Sequence, residues 1–194
     1  MSLFIGVFML GMPVAAILSA ILYLPFFFAL RKRHRPVLRH VTVYVLIVCC
    51  SLISLATIFL GGITFRPGYY YLNLKPFVWV THTYEMGYKR MIGQLVLNVL
   101  MFVPLSVLLM MVFKSLRSLW RAALCLLSLT LLIECIQYFT GRSADVDDVI
   151  MNWAGGMIGY ALFAGLNYLF RSSSGWKRMT GAADTPDLRG GVHI

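Results

Sequence analysis

The chain is 194 residues long, 60% hydrophobic and only 12% charged, about half the charged share of ordinary soluble proteins. With a mean hydropathy of +0.81, it carries more apolar side chain than a soluble domain of this size can bury. Composition therefore excludes a soluble enzyme, a secreted disulfide scaffold and a disordered protein, and it leaves a polytopic membrane protein. The net charge of +10 is no argument for nucleic acid, because Lys and Arg occupy the short polar gaps between apolar runs. Positive-inside topology and anionic lipid headgroups produce that placement.

A hydrocarbon core of ~30 Å needs roughly 20 residues of apolar helix, and five such runs can be read: residues 4–30, 38–61, 92–113, 122–140 and 149–170. The expected fold class is thus an all-α polytopic membrane helix bundle of about five transmembrane helices. The first run is longer than one span requires, and Pro13 and Pro25 are placed to kink it or mark its ends. It lacks a basic leader and a strongly basic segment follows it, so it reads as a retained anchor rather than a cleaved signal peptide. The segments 31–39, 114–121 and 171–194 hold 12 Lys and Arg, against 5 in 63–91 and 141–148. The heavier side is cytoplasmic by the positive-inside rule, which puts the N-terminus outside and the C-terminus in the cytoplasm.

Three parts follow. Residues 1–62 hold two helices and a basic loop, 63–170 an outer aromatic segment and three helices, and 171–194 a Ser/Gly-rich tail expected to be disordered. The outer segment, rich in Tyr, Trp and Phe with Pro67 and Pro76 as breakers, is expected along the membrane surface, with room for one short interfacial helix. Cys49, Cys50, Cys125 and Cys135 form no CxxC and read as small apolar packing groups. His34, His40, His82 and His193 are scattered and form no ligand set. No internal repeat is present.

The chemistry, if any, lies in polar residues at helix depth. Of seven Asp and Glu, Glu134 alone falls inside an expected span, where a charge costs roughly 2.5–3.5 kcal/mol on insertion scales. Gln137 shares its face at i+3. Gln94 and Asn98 share a face of the third helix, and Asp148, Asn152, Gly155 and Gly159 one face of the fifth. Three polar faces thus fall at one depth below a loop carrying Arg142, Asp145, Asp147 and Asp148, and pointing them at each other satisfies them internally. Gly155 and Gly159 form a small-xxx-small pair for close helix packing. Structural readings stand beside the functional one. Asn98 and Gln94 also suit interhelical hydrogen bonding, Asp148 suits helix capping, and Glu134 suits a purely structural pair with Arg142.

The stretch ECIQYFTGRSADVDDVIMNWAGGMIGY (134–160) resembles the VanZ family in its Glu, the Gln three later, the Arg, the Asp-rich turn, and the Asn and glycines beyond. NVLMFVP (98–104) and NLKPF (73–77) resemble two further motifs of that family, in the same order, and Lys89 and Arg90 stand where a basic residue precedes the Asn helix. The likeness covers roughly 65–165; Ser106 departs from it, standing where the pattern often has Gly. The resemblance implies a bacterial cytoplasmic-membrane protein, multi-pass, that lowers susceptibility to teicoplanin and related glycopeptides at the outer face of the membrane.

Three functions fit these residues. The leading one is this envelope factor, with Asn98, Glu134, Gln137, Arg142, Asp145, Asp148 and Asn152 around one outward-facing pocket and Arg90 nearby. Its ligand would be a glycopeptide antibiotic or a lipid-linked cell-wall precursor. The second is an intramembrane enzyme or binding protein for an isoprenoid-phosphate or glycolipid headgroup. There Arg142 and Arg90 would grip phosphate and Glu134 would be the acid or base. Asp145, Asp147 and Asp148 are the candidates for Mg²⁺, although no cofactor is predicted and DVDD alone matches no strong metal template. The third is a subunit or scaffold of a membrane complex or oligomer. Whether the chain is an enzyme stays open at this level; the partners expected are the bilayer and no nucleic acid.

Overall fold

The structure is a computed structural model that describes residues 2–31, 35–59, 70–77 and 88–182. Helix α1 spans Ser2–Arg31 and keeps both Pro13 and Pro25 inside one continuous helix. Pro36, with φ fixed at −64°, sets the extended turn from which α2 (Val37–Ser54) starts. The two pack through Ser19 Oγ donating to Ser51 Oγ at 3.0 Å and the Tyr44 hydroxyl donating to the Ala16 carbonyl at 3.0 Å. Helix α2 then widens into a π-turn, Leu55–Phe59.

Helix α3 runs Tyr88–Val112 with Pro104 inside, and a 3₁₀ turn, Lys114–Arg117, leads into α4, Leu119–Phe139. Helix α5 runs Val146–Phe170. It begins three residues earlier than expected because Asp145, not Asp148, is the N-cap: its carboxylate accepts from the Asp147 N–H at 2.9 Å. A two-residue strand β1, Leu72–Asn73, pairs in parallel with β2, Ala144–Asp145, which immediately precedes α5. A short helix α6, Ser174–Thr180, follows α5.

The tightest pair is α3 with α5. A Cβ built on Gly155 would lie 2.3 Å from the Val99 carbonyl oxygen, and one on Gly159 would lie 2.4 Å from that of Val103. Only glycine lets the two backbones approach so closely. Around this contact one apolar core joins Leu46 and Ile53 of α2, Phe102 and Leu105 of α3, and Ile133 of α4. A second joins Met110, Met111, Ala122 and Phe163, with Trp176 of α6 packed on it.

The all-α membrane bundle expected from composition is what the chain forms. Four helices carry stretches long and apolar enough to cross a membrane: Gly11–Phe28, Val37–Thr57, Leu119–Phe139 and Val146–Phe170. Between 17% and 28% of each window is buried inside the molecule, so most of its apolar surface faces outward, an arrangement that lipid stabilises and water does not. The remaining expected run, 92–113, is helical too, but its apolar stretch among the described side chains is the shorter Val96–Val112.

One local expectation changes. The stretch expected to be a disordered tail opens with α6, whose Thr180 is buried; residues 183–194 lie outside the described residues. Of the outer aromatic segment, 70–77 form a strand and a turn. The rest of the room for a short interfacial helix, 63–69 and 78–87, lies outside the described residues.

Candidate functional site at the acidic end of the bundle

The α4–α5 connection builds the site. Helix α4 ends with Gly141 at φ 82°, a left-handed position that glycine adopts without strain. Next, the Arg142 N–H reaches back to the Gln137 carbonyl at 2.9 Å, a Schellman closure that satisfies the helix end. The chain reverses there, and β2 and the Asp145 cap follow within three residues. Glu134, Gln137 and Arg142 on one side of the turn are thereby brought against Asp145, Asp147 and Asp148 on the other.

Each carboxylate has its own donor. Glu134, 5% exposed, accepts the Asp145 backbone N–H on Oε2 at 3.0 Å. Asp148 Oδ1 accepts from Asn98 Nδ2 of α3 at 2.6 Å. Asp147 Oδ1 accepts the Phe77 N–H at 2.6 Å, and Phe77 stands at φ 62°, in the left-handed region that costs a non-glycine residue about 1 kcal/mol or more. Asp145 Oδ1, besides capping α5, accepts from Asn73 Nδ2 at 3.1 Å. Asp147 and Asp148 lie in the first turn of α5, where negative charge meets the positive end of the helix dipole.

The NLKPF segment is the clamp that closes over this cap. Asn73 Oδ1 accepts the Lys75 N–H at 3.1 Å, which folds the segment, while the Ala144 N–H donates to the Tyr71 carbonyl at 3.1 Å. Tyr70 stacks at 5.0 Å on Tyr138 of α4. The outer segment is thus hydrogen-bonded directly to the acidic turn.

On the α2 side, the Thr57 carbonyl accepts from Gln137 Nε2 at 2.9 Å and also from Arg142 Nη1. Thr57 sits in the π-turn, where departure from the α-helical ladder frees carbonyls for outside donors. Arg142 is therefore turned to a backbone oxygen. The structural Glu134–Arg142 pair is replaced by two separate bonds, Glu134 to Asp145 and Arg142 to Thr57.

One turn deeper, Asn152 of α5 donates through Nδ2 to Thr130 Oγ1 of α4 at 3.3 Å, and its Oδ1 is buried without a partner among the described residues. Ser106 Oγ is in the same condition beside Gly159. Ser106 is the position that departs from the family pattern, and its Cβ lies 2.7 Å from a Cβ built on Gly159. The crossing there tolerates a side chain on one helix only.

The structure thus brings Asn98, Glu134, Gln137, Arg142, Asp145, Asp148 and Asn152 together from three helices and one turn. The side chains of Arg90 and Gln94 lie outside the described residues. Among the described residues, no three His, Cys, Asp or Glu converge as a metal-ligand group; Asp145, Asp147 and Asp148 address Asn73, Phe77 and Asn98 separately. Sequence reasoning missed Thr130, Thr57 and Asn73 as members. Thr130 is four residues before Glu134, so the face-sharing rule applied to α3 and α5 would have found it. Asn73 lies in a motif already singled out, but its reach to Asp145 depends on a strand pairing between residues 72 apart. Nothing local announces Thr57.

Comparison with known proteins gives two positive findings. Residues 15–171 match the VanZ/LLP1 family. Protein VanZ of Enterococcus faecium is 37% identical over 93 residues, 47% of this chain and 52% of that protein. The chain thus spans about half the length of the curated relative it matches. No solved structure matches.

Proposed function

This chain belongs to the VanZ/LLP1 family, and from that premise we propose that it is a multi-pass protein of the bacterial cytoplasmic membrane that lowers susceptibility to teicoplanin-type antibiotics. In this reading the acidic end faces outward and the basic end faces the cytoplasm, following the distribution of Lys and Arg. The working part is the polar cluster around Glu134 and Asp148. It would bind the lipid-proximal part of the drug or of the lipid-linked precursor on which such drugs act.

The observation that carries the reading is Asn152 Oδ1. The cluster around Glu134 and Asp148 is closely hydrogen-bonded, yet one turn below them this buried amide oxygen lacks a donor among the described residues. Buried polar groups are almost always satisfied, so a network short of one donor is suited to a ligand that supplies it. Binding is favoured over catalysis because Glu134 and Asp148 accept from a backbone N–H and an amide, and among the described residues neither is hydrogen-bonded to a hydroxyl or thiol that it could activate.

The test expresses wild type, Glu134→Gln and Asp148→Asn at matched membrane levels and measures teicoplanin susceptibility, with vancomycin as the less lipid-dependent control. Protection by wild type, lost in either variant, is the expected result. Equal protection by all three would make the cluster structural, and no protection by wild type would overturn the resistance reading.

A further inference from the structure

The opposite end of the bundle carries a feature that the proposed function does not use. A groove of about 300 Å³ opens between the 3₁₀ turn and the last turns of α5, lined by Arg117, Tyr160, Phe163, Asn167, Tyr168 and Arg171 among others. Among the described residues no carboxylate lines it. Arg117 is half-buried: its Nε donates to Met110 O at 2.9 Å, and its Nη2 to Met111 O at 3.3 Å and Thr180 O at 2.8 Å. Its Nη1 has no partner among the described residues. Asn167 Oδ1 accepts from Trp176 Nε1 at 2.9 Å, which fixes the amide and leaves Nδ2 as a donor. Arg171 is exposed at the groove mouth, its guanidinium 5.6 Å from the Tyr168 ring centre.

Among the described residues no carboxylate stands near the cations at this end. Burial, together with the neighbouring Arg117, Arg35 and Arg39, pulls the Lys114 ammonium below its ordinary pKa. Among the described residues every Asp and Glu lies at the far end, at Glu134, Asp145, Asp147 and Asp148. On the face of α5 that carries the groove, Trp153, Met157, Ala161 and Ala164 are exposed or half-buried, an apolar wall suited to acyl chains.

We propose that this groove binds the phosphodiester headgroup of an anionic phospholipid, held by Arg117, Asn167 and Arg171 with its acyl chains along α5. Two guanidiniums and an amide donor match the singly charged oxygens of a phosphodiester. A groove at the end of a spanning helix on the basic side is where such headgroups lie. The proposal rests on the chain spanning a membrane and is independent of the resistance reading.

The test uses the full chain purified in a neutral detergent, with dioleoylphosphatidylglycerol, dioleoylphosphatidylcholine or inorganic phosphate added. Native mass spectrometry counts bound lipid, and thermal unfolding reads stabilisation. Wild type is expected to retain phosphatidylglycerol in preference to phosphatidylcholine, and Arg171→Gln to weaken that binding about five-fold, as expected for one cation at an anionic surface. Arg171→Glu should abolish the preference. Lys177→Gln, an exposed cation outside the groove, is expected to bind like wild type. Because Arg171 makes no hydrogen bond to the rest of the described chain, its variants leave folding intact, which circular dichroism checks. Equal retention of both lipids, or equal losses in Arg171→Gln and Lys177→Gln, would overturn the site. Displacement of the lipid by millimolar inorganic phosphate would overturn a lipid ligand in favour of free phosphate.

Discussion

The two ends of the bundle solve the same problem with opposite charges. At the basic end, guanidiniums donate to carbonyls that helix termini leave open: Arg39 to Met111, Val112 and Met179, and Arg117 to Met110, Met111 and Thr180. At the acidic end, carboxylates accept from N–H groups where α5 begins. Both patterns follow from the unpaired groups and dipole of a helix end. The difference is in what remains once capping is counted. Arg39 and, its Nη1 apart, Arg117 are accounted for as ties between α3 and α6. Capping explains Asp145, the position of Asp147 and the bond that Glu134 accepts from the Asp145 N–H, but it does not explain why a carboxylate stands buried five residues inside the end of α4, or why Asn152 Oδ1 has no donor among the described residues. The surplus polarity is what makes the acidic end the candidate working site.

The sharpest way to break this picture is to separate the helices that hold both ends together. Gly155→Ala places a methyl 2.3 Å from a backbone oxygen, and overpacking of this kind costs roughly 1–3 kcal/mol. Thermal unfolding in detergent should show a larger loss for this variant than for any single substitution at either end. An unchanged melting temperature would mean that α3 and α5 do not cross as described.

The basic end is tested by Arg117→Met. It strips donors from Met110, Met111 and Thr180, at about 1–2 kcal/mol in all, since carbonyls freed at a helix end turn to water. Helix α6 should loosen, and limited trypsin digestion should cut at Lys177 and Arg178 much faster than in wild type. Equal cleavage rates would show that Trp176 packing and the Arg39 bond to Met179 hold α6 without Arg117.

At the acidic end, Asn73→Ala removes the bond to Asp145 and the one that folds the turn onto Lys75. About 1–2 kcal/mol of local stability should go. Hydrogen exchange in 70–77 should rise while the helices stay protected. Asp148→Asn is expected to be smaller, under about 1 kcal/mol, since an amide oxygen still accepts from Asn98.

How far the sequence foretold this is itself uneven across the two ends. The helices were legible because apolar runs of span length have one cheap solution in lipid. Face-sharing at i, i+3 and i+4 placed Glu134 with Gln137 and Asp148 with Asn152, and the small-xxx-small spacing marked α5 for a close crossing without naming α3 as its partner. Partner choice was not legible. Glu134 takes a backbone N–H in place of Arg142 because a left-handed glycine at 141 turns the chain back on itself, a geometry no side-chain pattern encodes. Thr57 joins through a π-turn, and Asn73 through a strand pair between segments far apart in sequence. The α6 segment reads as tail because it is Ser/Gly-rich with scattered charge, and its order comes from Arg39, Arg117 and Phe163, all outside it.

The central claim is that the acidic end carries function beyond stability, and Glu134→Gln tests it most directly. The amide retains an oxygen to accept the Asp145 N–H, so the variant should melt within a few degrees of wild type. Teicoplanin susceptibility, measured in cells with equal membrane levels of the two proteins, should nevertheless rise to that of cells lacking the protein. Full protection by a Glu134→Gln variant of wild-type stability would contradict the claim and make this carboxylate part of the scaffold alone.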